Sequence, residues 1–360
     1  MIPGIYDFHV HIGETIAGHA LADDWQSFSR LHEHNGLEGI GVFVTESEEE
    51  EIAVKLERMR NESKAFHGKV FWHLTPQSLD PRKLEKVLAA DTDIKLYTTY
   101  RDANLYTAYE DIKRFMKDMH SHKTRLLVHC EDDKVVREFS DRNPFLKPSD
   151  HALRRPEKAE ITAVENLLDL ALQYHYPLHI VHVSCPKAAL LIQEAKKEAD
   201  YITCETAPHY LLLTEEALNT PQGHRWLCSP PLRSESSRGQ MVELLQDGIF
   251  DLIASDHCAF SCEDKDIGIL HPAKTPMGIA GSGALFTLMA EHLVDKGKLS
   301  YEQLFQLISF NPARMMGFNT KKNKYQVERL GAPNPVVPSL AETHNPWIDF
   351  WSHFELRRII

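Results

Sequence analysis

The chain has 360 residues, 42% hydrophobic and 26% charged, and carries a formal net charge of −12. That composition predicts a globular protein with a sizeable core, and an acidic balance without a basic stripe excludes a nucleic-acid surface, which needs cations to displace phosphate counterions. No apolar run reaches the roughly 20 residues of a membrane span, and MIPGIYDF enters a strand without a basic or long apolar leader, so the expected compartment is the cytoplasm.

The first element is the run Ile5-Tyr6-Asp7-Phe8-His9-Val10-His11. Its two histidines, two residues apart, share a strand face near the end of the run. Including this run, at 5–12, eight hydrophobic strands are predicted, the others at 39–45, 70–75, 93–99, 124–130, 177–184, 201–207 and 251–257. Charge-rich segments with apolar residues at helical spacing lie between them, among them EEEEIAVKLERMRNESKAF, EDIKRFMKDMHSH, AEITAVENLLDLALQYH and CPKAALLIQEAKKEA. Alternation of this kind predicts a parallel α/β (β/α)8 TIM barrel, with its site at the C-terminal ends of the strands. A doubly wound open sheet is the alternative, but it gathers its site at one switch point.

Acidic residues 46–51 read as the solvated first turn of a helix. Two long connections, 137–156 and 208–248, are placed to shape a pocket. After the barrel, LSYEQLFQLISFNPARMMGF reads as a terminal helix pair, and residues 319–360 read as irregular, with NPWIDFWSHFELRRII able to supply a short strand, a barrel plug or a dimer contact. The domains are therefore 1–318, a barrel, and 319–360, an extension packing on the barrel or on a partner. Its Trp347, Phe350, Trp351 and Phe354 would form an apolar patch in need of cover. Six cysteines, at 130, 185, 204, 228, 258 and 262, lack a framework spacing and read as buried reduced thiols. Cys258 and Cys262 are the two placed within reach of reagents.

Four further ligand-capable side chains, Lys95, His129, His182 and Asp256, stand in or at the ends of later strands, in DIKLYTT, TRLLVHC, PLHIVHVS and DLIASDH. Imidazoles and carboxylates suit Zn²⁺, with Mn²⁺, Co²⁺ or Ni²⁺ as substitutes. A lysine in this set either turns away to a surface carboxylate or reacts with CO₂, giving a carbamate that bridges two cations. Because a buried unpaired ammonium is costly and five partner ligands stand at matching strand ends, the carbamate is the favoured reading.

The motifs DFHVHIGE, IKLYTTY, LLVHCED, HALRRPEKAE, HIVHVSCPKAALLI, TCETAPHYLLLTEEAL, CSPPLRS, LIASDHCAF, PMGIAG and SFNPARMMGF run in order over residues 3–318. Together they resemble the cyclic amidohydrolases of the amidohydrolase superfamily: dihydroorotases, hydantoinases or dihydropyrimidinases, and allantoinases. The resemblance implies that His9, His11 and Asp256 hold one divalent metal, His129 and His182 a second, and carboxylated Lys95 bridges them. It further implies a hydroxide shared by both ions as nucleophile, and Asp256 as the general base that passes the proton to the departing amide nitrogen. The expected substrate is a small cyclic amide or imide, of hydantoin, dihydropyrimidine or ureide type, and a homo-oligomer is expected. Alternatives are a dihydroorotase, a non-catalytic dihydroorotase-like partner subunit, or a hydrolase of linear amides or phosphoesters.

Where dihydroorotases hold the substrate carboxylate with an arginine, an asparagine and a histidine, the aligned residues here are Gly13, Glu46 and Phe260. Loss of such contacts costs about 2–5 kcal/mol each and argues against an anionic ring. Tyr100 and Ser229 match the hydantoinase pattern, as oxyanion and ring-amide contacts. Met277 stands where that pattern has asparagine, and it, Gly278 in the same loop and Phe260 are further expected substrate contacts. His209 reads as a substrate contact or a supporting group, His257 as support, His179 as packing, and Arg233 as an anchor to backbone carbonyls. Relatives precede this first strand with part of a β-sandwich, which is expected to be absent.

Overall fold

In a computed structural model, residues 2–119, 124–320 and 324–359 are described. Nine strands form one parallel sheet: β1 Ile5–His11, β2 Leu37–Thr45, β3 Lys69–Thr75, β4 Thr92–Tyr97, β5 Leu126–His129, β6 Leu178–Ile180, β7 Ile202–Thr206, β8 Leu252–Ile253 and β9 His257–Cys258. Their spatial order is β8-β7-β6-β5-β4-β3-β2-β1-β9. Leu252 and Ile253 pair with β7, and His257 and Cys258 pair with β1, so both ends of the sheet belong to one short stretch of chain. The sheet thereby closes on itself in a barrel-like α/β fold, to which the long amphipathic helices Ile52–Glu62, Tyr109–Asp118, Glu157–Tyr174 and Pro186–Lys196 contribute. Residues 120–122 of one expected helix lie outside the described residues.

Strands buried on both faces lose the polar alternation of an exposed sheet, which is why LEGIGVFVT is almost wholly buried. Most apolar side chains pack between strands and helices. A second cluster, including Tyr6, Phe8, Phe43, Phe71, Leu127, Val181 and Leu252, fills the inside of the sheet. The β1–β2 register is irregular between Asp7 and Val10, and Phe8 and the next residue, His9, both turn inward.

Gly41 of β2 sits against this irregularity. A Cβ there would lie 2.3 Å from the Phe8 carbonyl oxygen and 2.4 Å from His73 Nε2, whose N–H donates to that same carbonyl. Gly41→Ala therefore forces backbone apart, and we expect a loss of about 1–3 kcal/mol in denaturant unfolding.

Two expectations are corrected. The sixth strand ends at Ile180 and the eighth is broken between Ile253 and His257, because His182 and Asp256 adopt φ of +39° and +51°, outside the β region. The tail is not irregular: β10 Tyr325–Pro335 and β11 Trp351–Arg358 form an antiparallel pair, and Ile2 bridges to Tyr325 at its edge. Ser352, Phe354 and Leu356 alternate inward, and Trp347 is 1% exposed, while Trp351 stays half exposed. Residues 321–323 and 360 of the tail lie outside the described residues. All six cysteines are free, and only Cys262 is exposed. No described helix is long and apolar enough to cross a membrane.

Candidate active site

At the C-terminal ends of the strands lies a cavity of about 1170 Å³. His9, His11, Lys95, His129, His182 and Asp256 all line it, joined by Tyr100, Ser229, Met277 and Gly278. The chain thus brings together all six expected ligands and four of the six expected substrate contacts. His209 and Phe260 do not line the cavity. His209 sits in the short helix Pro208–Leu212, buried, with both ring nitrogens lacking a partner among the described residues. Phe260, in the loop that follows β9, is 2% exposed.

Outer hydrogen bonds fix the imidazoles. His9 Nδ1–H donates to Glu205 Oε1 at 2.5 Å, turning Nε2 toward Asp256 Oδ1, 3.1 Å away. Glu205, fully buried in β7, also accepts His179 Nε2–H and the backbone N–H of His182. His179 is therefore more than packing; it shares a carboxylate with His9. His129 Nε2–H donates to Glu131 at 2.7 Å, leaving Nδ1 3.0 Å from His182 Nε2. Arg155 grips Glu131 with both Nε and Nη2 and stacks over Tyr100 at 4.7 Å.

Burial sets the charge states. It holds the imidazoles neutral, with His11 lowered to about 3 and His129 to about 4, while nearby Lys95 adds repulsion for any imidazolium. Burial likewise lowers Lys95 to about 8, opposed by Glu205 and Asp256. Its Nζ lies 5.0 Å from the Phe43 ring centre and 5.1 Å from that of Tyr97, and no carboxylate among the described residues is within ion-pair range. The Tyr100 hydroxyl is pushed up to about 12 by burial and remains a donor.

The donor set fits divalent cations. Ligand atoms of His9, His11 and Asp256 lie within 4.8 Å of one another. His11 Nδ1 and His182 Nδ1 are buried without partners among the described residues. Neutral imidazoles presenting lone pairs beside a carboxylate are what such an ion requires. Five non-glycine residues at the cavity hold positive φ, Ala17, Tyr100, Asn104, His182 and Asp256, and two of them are expected ligands, a strain that clusters where side chains must be aimed.

The amidohydrolase family model matches residues 1–324. The chain belongs to the amidohydrolase family. Among curated relatives, this amidohydrolase is 31% identical to a D-phenylhydantoinase of Escherichia coli O1:K1 over 267 residues, 72% of the chain and 56% of that protein. It is 30% identical to a dihydroorotase of Brevibacillus brevis over 219 residues, 61% of the chain and 50% of that protein. The chain thus spans about half the length of the curated relatives it matches. Its fold is that of a dihydropyrimidinase from Brevibacillus agri, with a TM-score of 0.89 at 22% identity over 99% of this chain and 82% of that one. A dihydroorotase structure from Campylobacter jejuni superposes less closely, with a TM-score of 0.67 at 14% identity over 98% and 96% of the two chains.

Glu131, Arg155 and Glu205 were not singled out from the amino-acid pattern of this amidohydrolase. Glu205 had a readable signal, an acid inside the buried strand ITCET, where a charge demands partners. Glu205→Gln weakens the hold on His9 and His179, and zinc affinity is expected to fall by about 10–100-fold in a chelator competition. Arg233 bonds one backbone carbonyl, that of Arg155, but its main partners are Ser184 and the buried Glu160.

Proposed function

We infer that this protein hydrolyses the ring amide of a small cyclic amide or imide, of hydantoin, dihydropyrimidine or ureide type. The observation that carries the reading is the convergence, in one cavity, of neutral imidazoles, a half-buried carboxylate and a buried lysine with no carboxylate in ion-pair range among the described residues. Similarity to a D-phenylhydantoinase supports it. The hydrolytic unit is residues 1–318, with 319–360 as an extension packed on it.

His9, His11 and Asp256 would hold one divalent cation, most simply zinc, and His129 and His182 a second, with carboxylated Lys95 between them. Cations held there would polarise the scissile carbonyl and make a bound water acidic near neutral pH. Lys95, with its ammonium disfavoured by burial, offers the neutral amine whose lone pair attacks CO₂, the nitrogen losing a proton as the carbamate forms. Asp256 takes the proton of the attacking water and returns it to the leaving nitrogen. Tyr100 donates its hydroxyl to the developing oxyanion, and Ser229 faces the ring amide. Met277 covers the ring with an apolar side chain. Gly278 allows close packing, since a Cβ there would meet Cys258 Sγ at 2.8 Å. His209 and Phe260 support the wall from behind.

Ring opening of a panel of cyclic amides by zinc-loaded protein tests the activity. Elemental analysis is expected to find close to two divalent ions per chain, and Lys95→Ala is expected to lose one preferentially, with short carboxylic acids restoring turnover. Absence of stoichiometric metal after chelator-free purification overturns the reading.

A further inference from the structure

Asp256 occupies a three-residue break in the wall of the barrel, and the backbone on each side of it is pinned. Asp7 accepts the N–H of Ser255 at 3.0 Å and its hydroxyl at 2.5 Å. Ser255 Oγ in turn accepts the N–H of His257 at 3.1 Å. On the far side, His257 Nε2–H donates to Asp23 at 3.0 Å, and His257 Nδ1 accepts the N–H groups of Gly281 and Ser282 at 3.1 and 3.2 Å. Asp23 and His257 are both essentially inaccessible to solvent.

The remaining donors to Asp23 come from two directions. Ser27 supplies its hydroxyl at 2.6 Å, and Ser339, from the C-terminal extension, sits 2.8 and 2.7 Å from the two carboxylate oxygens. The stretch around Ser339 fastens to the barrel at three more points, two of them on the segment that carries Gly281 and Ser282 and one just after β9. Pro338 O accepts the N–H of Gly283 at 2.8 Å, Thr343 donates to the Phe260 carbonyl at 2.5 Å, and the Trp347 indole donates to the Ala280 carbonyl at 2.8 Å. Hydrogen bonds from His257, Ser27 and Ser339 outweigh burial and keep Asp23 ionised.

We propose that residues 336–347 act as a positioning strap, in which Ser339, through Asp23 and His257, sets the orientation of Asp256. The proposal rests on the role inferred above for Asp256. Ser339 touches neither substrate nor ligand, so it is a positioning residue. Its hydroxyl orients the Asp23 carboxylate, that carboxylate fixes the imidazole, and the imidazole holds the chain on one side of the strained residue. Removing the hydroxyl leaves His257 with a less constrained acceptor, and Asp256 gains freedom.

The test compares full-length wild type with Ser339→Ala, Asp23→Asn and the double variant, each loaded with zinc. Ser339→Ala is expected to release zinc to a chelator roughly 10-fold faster and to lower kcat by a similar factor with KM little changed. In the Asp23→Asn background the same substitution is expected to add almost nothing, because the route runs through that carboxylate. Trp347→Phe, which keeps an aromatic side chain and removes the bond to Ala280, is expected to show a smaller effect in the same direction and decides the matter if Ser339→Ala does not fold. Unchanged zinc release and kcat in a folded Ser339→Ala, or an equal effect in both backgrounds, overturns the strap. Near-normal turnover of Asp256→Asn overturns instead the role assigned to Asp256, and zinc release still reads the strap without any substrate.

Discussion

Asp256→Asn is expected to lower turnover by roughly 10²–10⁴-fold, with the protein still folded and KM changed far less than kcat. Asparagine keeps the size of the side chain and one oxygen able to face His9 Nε2, 3.1 Å away in the native site. What it loses is the ability to accept a proton. The carboxylate stands where that ability is most useful: burial raises its proton affinity well above the ordinary range, Lys95 opposes the rise, and Glu205 and Asp7 add to it. Steady-state kinetics on any ring that the wild type opens provides the measurement. Turnover within a factor of a few of wild type would remove the proton-transfer role and leave Asp256 as a ligand only.

Much of this site was legible because closed parallel sheets put functional side chains at strand ends. His9, His11, Lys95, His129, His182 and Asp256 each stand in or at the end of a hydrophobic run, and all six line one cavity. Less legible was the backbone that delivers them. His182 and Asp256 sit at positive φ, which interrupts β6 and the last pair of strands just where hydrophobicity predicts continuation. Nothing in VHVS or ASDH signals that break, since it is imposed by tertiary bonds such as those from Asp7 and Glu205.

The tail was obscured for a different reason. Prolines at 333, 335, 338 and 346 mask the alternation of Ser352, Phe354 and Leu356, whose inward faces make β11 a strand. Glu131 escaped notice because two residues after a histidine it reads as an ordinary helix-start acid. Its partner Arg155 lies in a distant loop, and only the fold brings the two within 2.8 Å.

The last expected result concerns the substrate: neutral five- or six-membered cyclic amides favoured over dihydroorotate by at least roughly 10²-fold in kcat/KM, about 3 kcal/mol. The three positions that would hold a carboxylate offer it no cation. Gly13 has no side chain, and Phe260 is buried outside the cavity. Glu46 lines the cavity as an acid whose oxygens accept the N–H groups of Ile52 and Gln77. Three arginines on the cavity wall are already engaged, Arg101 with Asp133, Arg154 with the carbonyls of Ser140 and Asn143, and Arg155 with Glu131. An anionic ring would surrender its hydration without a matching partner, whereas a neutral ring avoids that cost. A side-by-side assay of hydantoin, dihydrouracil and dihydroorotate decides the question. Efficient opening of dihydroorotate would overturn the preference and direct attention to Arg137 and Lys274, exposed cations at the cavity that lack an ion-pair partner among the described residues.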